Sequence, residues 1–189
     1  MPLKRSRPNT ETKFKDAVLE LVAESGCEAL GVNAVAHKAG ADKVLIYRYF
    51  GDLNGLLINV ADQQVWLPTI DELADTILST YKDVALCLRQ LFERIVQHIR
   101  SKSATHQIMR WRKAAPNPLT NHFSQAWHTL WNELPAHITS DLDEASQTAW
   151  RHACALIALL IEAELNEDPV DLNCIQVLAS DLPALKVDA

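Results

Sequence analysis

Lys43, Tyr47, Arg48 and Tyr49 bring two cations and two phenol hydroxyls into one short segment, around the apolar Val44, Leu45 and Ile46. Such groups make charge-assisted hydrogen bonds to phosphate oxygens, bidentate bonds to guanine, and aliphatic contact with the thymine methyl. This is chemistry suited to a DNA groove. Lys43 is expected at bases or phosphate, Val44 at a thymine methyl, and Tyr47 at a phosphate or base edge. Arg48 has two candidate partners, DNA or the carboxylate of Asp52 four residues on. Tyr49 is expected at a phosphate, with Phe50 in the core. Upstream, Asn33, His37 and Lys38 are candidate backbone contacts. Lys4, Arg5 and Arg7 form a basic arm that either follows phosphates or a minor groove, or is a solvated tail.

Positioning these groups requires short helices at defined angles. Val32, Val35 and Ala36 share a face at helical spacing, and Gly40 supplies a turn in the left-handed region. Asp42 can cap the next helix, Lys43 to Tyr49. The pair reads as a helix-turn-helix, whose second helix enters the major groove. A leading helix over 11–25 carries Phe14, Ala17, Val18, Leu21 and Val22 on one stripe, with Thr10 as its expected cap and Gly26 as its end. A further helix, capped by Asp52, turns Leu56, Leu57, Val60 and Ala61 inward.

Downstream, residues 70–102 read as one helical stretch, ordered best from Tyr81 onward. Shorter helices follow over 104–114, 119–133, 142–165 and 170–181. The fold class is all-α, with about nine helices in two domains: 1–58 with the basic arm, and 59–189.

Of 189 residues, 48% are hydrophobic, enough for a continuous core. The net charge of −6 is unevenly spread. Residues 1–58 hold eight Lys/Arg against seven Asp/Glu (+1), and the rest hold ten against seventeen (−7). That asymmetry suits a nucleic-acid-facing end attached to a different module. No run approaches the roughly 18 apolar residues of a membrane span, and the basic start has no apolar stretch behind it. A cytoplasmic location without a membrane partner is expected. Cys27, Cys87, Cys154 and Cys174 lack ligand spacing and read as buried reduced thiols, with redox sensing as the alternative. His122 and His128, six apart, do not share a helix face, so no metal is expected, and no cofactor. Gly-rich phosphate loops, nucleophile elbows and paired metal-ligand motifs are absent from the sequence, which argues against an enzyme.

The segment AGADKVLIYRYF, residues 39–50, with VNAVAHKAG before it and Leu56-Leu57 beyond, resembles the N-terminal domain of the TetR (tetracycline repressor) family of transcriptional regulators. Ala39, Gly40, Ile46, Tyr47, Tyr49 and Phe50 carry the resemblance, which covers about 50 residues. It implies a homodimer in which each N-terminal domain reads half of a near-palindromic double-stranded operator. It also implies a C-terminal domain that pairs subunits and binds a small-molecule effector, whose binding releases DNA. A repressor is the expected role.

Four positions depart from the family pattern. Gly31, Asp42 and Leu45 stand where it usually has hydroxyl residues, and Leu53 stands where it often has lysine. These departures motivate a rival reading, a dimeric ligand-binding or interaction protein with weakened DNA binding.

In the region where the family places its pocket lie Tyr81, Phe92, His106, Trp111, His122, Gln125, Trp127 and Trp131, which suit an apolar or aromatic effector or are simply core. For the dimer, Ala149, Ala153, Leu156, Ile157, Leu160 and Ile161 make one apolar face. Val170, Ile175, Val177 and Leu178 extend it, giving either an isologous four-helix interface or burial within the subunit.

Overall fold

Proline and capping side chains punctuate the chain into helices, and the computed structural model describes residues 7–78 and 83–185. Among them are ten α-helices and one 3₁₀ turn, with no strand: α1 (Arg7–Ser25), the 3₁₀ turn Cys27–Ala29, α2 (Val32–Ala39), α3 (Val44–Phe50), α4 (Leu53–Ala61), α5 (Ile70–Leu78), α6 (Val84–Arg100), α7 (Ser103–Trp111), α8 (Pro118–Ile138), α9 (Glu144–Leu165) and α10 (Asn173–Ser180). The all-α expectation agrees with this. The helix count differs because 70–102 is two helices. Asp83 is extended and its carboxylate accepts from the Leu86 N–H, starting α6 afresh. Thr69 and Glu72 bond reciprocally across the start of α5 as a capping box.

Other boundaries also move. α1 begins at Arg7, so Thr10 is a buried residue inside the helix and not its cap. α8 starts with Pro118 at its first position, where a missing N–H is tolerated, and Asn117 caps Leu119 and Thr120. It then runs through Pro135 to Ile138, because Leu134 and Ile138 are both buried. Helical contacts there outweigh the hydrogen bond that Pro135 lacks.

The chain divides by contact into two units. The first comprises Met1–Trp66 and Lys102–Gln125, the second Leu67–Ser101 and Ala126–Ala189. In the first, α1 packs against α2, α4 and α7 around Phe14, Val18, Val22, Val35, Leu56 and Ile108, all fully buried. Residues 102–125 thus join the first unit, whereas the sequence reading put them with 59–189. Part of the reason is Trp111, whose indole lies against Gly26. In the second unit α6 packs on α5, α9 and α10, around Leu88, Leu91, Ile95, Ile157 and Ile161. Trp150 anchors this core, its Nε1–H donating to the Pro183 carbonyl at 3.0 Å.

Candidate nucleic-acid interface

The turn between α2 and α3 is built by the backbone. Gly40 sits at φ 58°, ψ 38°, and the Ala41 N–H reaches back to the Ala36 carbonyl, closing α2 with a Schellman-type cap. Asp42 then turns the chain, its Oδ1 accepting from the Val44 N–H at 2.9 Å. Lys43 donates to Asn33 Oδ1 at 3.2 Å, which ties the start of α3 to α2.

α3 is short, and its buried residue is Ile46, with no exposed surface. Phe50 secures its end, edge-on to Phe14 at 6.3 Å between ring centroids. With Ile46 inward, Val44, Tyr47 and Arg48 at positions i, i+3 and i+4 share the opposite face. Val44 is 60% exposed and Tyr47 53%. The Arg48 guanidinium has no ion pair among the described residues, so the Asp52 alternative is not realised. Asp52 instead caps α4, accepting from the Gly55 N–H at 2.7 Å.

The remaining sequence candidates divide. Lys4 and Arg5 lie outside the described residues. Arg7 is not in a free arm: it opens α1, its Nε 2.6 Å from Glu11 Oε1 and its guanidinium carbon 5.0 Å from the Tyr49 ring centroid. Asn33 and His37 are exposed on α2. Lys38 is turned to α1, 2.7 Å from both Glu24 carboxylate oxygens and 3.5 Å from Glu20. The Glu24 hydrogen bond holds its ammonium above the usual lysine pKa. It buttresses α2 on α1.

The expected pocket residues fall in both units. Tyr81 is outside the described residues. In the first unit Trp66 Nε1–H donates to His122 Nδ1 at 3.1 Å, and His122 Nε2 lies 3.4 Å from Asp62 Oδ1. His122 and Gln125 line a groove of about 320 Å³ with Ile58, Ala61, Pro118 and Asn121. His106 and Trp111 belong to α7 of the same unit. In the second unit Phe92 and Trp127 are buried, and Trp127 meets Trp131 edge-on at 5.5 Å. The Trp131 Nε1–H is buried with no hydrogen-bond partner among the described residues. A second groove, of about 570 Å³, is lined by Phe92, Val96 and the Arg100–Glu164 ion pair.

On the expected dimer face, Ala153, Ile157, Ile161 and Ile175 are buried inside their own unit. Ala149, Leu160, Val170 and Leu178 are half-buried. The apolar surface left outward is Leu156, Leu159 and Val177, at 48, 61 and 71% exposure. Sequence reasoning missed Leu159, because the unbroken apolar run 153–161 within α9 does not reveal which stripe faces the core. Cys27, Cys87 and Cys154 are buried thiols, but Cys174 is exposed. No helix of the described residues is long and apolar enough to cross a membrane, and no cluster of potential metal ligands occurs among them.

An outward-facing second helix held by a glycine turn on a three-helix support makes residues 7–61 a helix-turn-helix domain. Residues 16–60 match the model of the bacterial regulatory proteins of the tetR family. No curated protein matches the chain. Among solved structures, HlyIIR, a hemolysin II transcriptional regulator, superposes with a TM-score of 0.61 at 14% identity, over 94% of this chain and 98% of that one. The multidrug binding protein EbrR, in complex with imidazole, gives 0.56 at 16% identity over 98% of both chains. NalD, the secondary repressor of the MexAB-OprM multidrug efflux pump in Pseudomonas aeruginosa, gives 0.55 at 19% identity over 92% and 94%. The helix-turn-helix is similar to the TetR-family N-terminal domain over residues 16–60, and the chain shares the all-α fold of these regulators.

Proposed function

We propose that the protein is a homodimeric transcriptional regulator that binds a near-palindromic operator in double-stranded DNA and releases it when a small-molecule effector binds, acting as a repressor. The observation that carries this is the outward face of α3: Val44, Tyr47 and Arg48 stand exposed together while Ile46 locks the helix from behind. A buried anchor with an unpaired arginine opposite it is the arrangement needed to deliver side chains to base edges.

The functional division proposed is 1–58 for DNA and 59–189 for sensing and pairing, with 102–125 packed on the DNA-binding helices. Trp127, Trp131 and Phe92 are the proposed effector walls, supported by the unsatisfied indole N–H of Trp131, which suits an acceptor on an aromatic or apolar ligand. Leu156, Leu159 and Val177 are the proposed centre of the dimer contact, since exposed apolar side chains of this size favour burial. A cytoplasmic, non-enzymatic role follows from the same reading.

Asp42 favours the rival reading of weakened DNA binding, because its exposed carboxylate stands at the start of α3, where phosphate would repel it.

Retention of DNA from upstream of the protein's own gene, measured at low salt, separates the two. Specific retention is expected, lost in the Tyr47→Ala/Arg48→Ala double variant by roughly thirtyfold or more at about 1–3 kcal/mol per contact, with the dimer intact by size-exclusion chromatography. Absence of specific retention by the wild type sinks the regulator reading.

A further inference from the structure

We infer that Arg7, Glu11 and Tyr49 form a phosphate clamp in which the ring of Tyr49, rather than its hydroxyl, serves DNA by holding the Arg7 guanidinium in place. This rests on the DNA-binding reading above and assigns a different role to a residue that the sequence presented as a direct contact.

The geometry fixes the guanidinium in two ways. Its carbon stands 5.0 Å from the Tyr49 ring centroid, within cation–π range, so the ring restrains its position. Its Nε donates to Glu11 Oε1 at 2.6 Å, one helical turn along α1, so the fork is restrained in rotation. Tyr49 is itself held, edge-on to Phe50 at 6.4 Å, and Phe50 is edge-on to the fully buried Phe14. The path from core to guanidinium is thus continuous.

What remains available is specific. Nε uses one of the five N–H donors of arginine, leaving the four on the two Nη groups. These make no hydrogen bond among the described residues, and the side chain is 65% exposed. A planar fork with both amino groups open is the geometry that takes a phosphate bidentately, and a pre-ordered fork loses little further freedom on binding.

Location points the same way. Tyr49 lies beside the Val44–Tyr47–Arg48 face and near the end of α3, not on it. A helix seated in the major groove meets base edges along its central face and sugar-phosphate backbone at its flanks. Arg7, brought there from α1, is therefore placed for backbone and not for sequence.

The test uses full-length protein and a fluorescent random-sequence duplex of about 30 base pairs, with affinity followed between about 50 and 200 mM salt. Arg7→Ala is expected to weaken binding about tenfold and to lower the slope of log affinity against log salt by about 0.9 for each subunit bound. Tyr49→Phe keeps the ring and is expected to stay within about twofold of wild type. Tyr49→Leu should reproduce the Arg7→Ala loss, and the double variant should be no weaker than either alone. Thermal melts check that each variant is folded, and Tyr49→Phe tests the ring role without disturbing packing. Tyr49→Phe as weak as Tyr49→Leu would mean a hydroxyl contact and overturn the clamp, as would additive losses. Wild-type binding with an unchanged Arg7→Ala slope sinks the clamp alone. A wild type that retains no duplex at low salt sinks the regulator reading and the clamp together.

Discussion

Ile46→Ala isolates the single buried anchor on which the proposed interface stands. α3 spans Val44–Phe50, far below the roughly 12 residues at which an isolated helix becomes even marginal in water. It exists because Ile46, at 0% exposure, and Phe50 pin it to the helices behind it. Truncation to alanine removes three carbons at about 0.8 kcal/mol each, and incomplete collapse of the cavity brings the loss to about 3 kcal/mol. Ile46→Val removes one carbon and should lose about 1 kcal/mol. Against a typical total of about 5–15 kcal/mol the alanine variant stays mostly folded. The helix-turn-helix should then open locally roughly a hundredfold more often.

Urea titration by circular dichroism reads the global term, and hydrogen exchange of the amides in 44–50 reads the local one. Val44→Ala is the control, since at 60% exposure it should change stability by less than about 0.5 kcal/mol while weakening DNA binding. The reasoning is refuted if Ile46→Ala matches wild type within about 0.5 kcal/mol with unchanged exchange, or if Val44→Ala destabilises more.

Two further outcomes are expected. Gly26 holds φ 75°, ψ 179°, and a Cβ there would stand 2.6 Å from Trp111 Nε1. Gly26→Ala should therefore lower the melting temperature more than Gly40→Ala, which meets open space and carries only left-handed strain of about 1–2 kcal/mol. Equal losses in the two melts would show that Trp111 yields freely. Burial pushes the Cys154 thiol up to about 12 from 9.0. Below pH 9 both folded and unfolded chains keep this proton. Between 9 and 12 the unfolded chain releases it first, so stability falls as pH rises, by at most about 1.4 kcal/mol per unit. Cys154→Ala should flatten that alkaline slope in urea titrations taken across this range, and an unflattened slope would assign it to other groups.

The helix-turn-helix was legible because its signals are local. Gly40 marks a left-handed turn, the 3.6-residue stripe from Phe14 to Val22 marks a supporting face, and Asp52 before an apolar run marks a helix start. Each depends on neighbours within one or two turns, which the sequence states directly. The apolar pattern over 70–102 was also legible as helix, but not its interruption, since the cap at Asp83 looks like any surface aspartate.

The amino-acid sequence by itself therefore determined the all-helical class, the turn between α2 and α3 and the residue types presented on α3. Tertiary structure alone decided what those residues do for one another. Arg7 reads as part of a mobile cationic arm until Tyr49, 42 positions away, lies under it. Lys38 reads as a DNA contact until Glu24 of α1 claims it. The outward stripe of α9 takes in Leu159 beside the expected Leu156, because α6 covers the side that carries Ile157 and Ile161. The physical reason is common to all three. Helical periodicity specifies which residues share a face, but which face is buried, and which charge meets which, depends on contacts between segments remote in the chain.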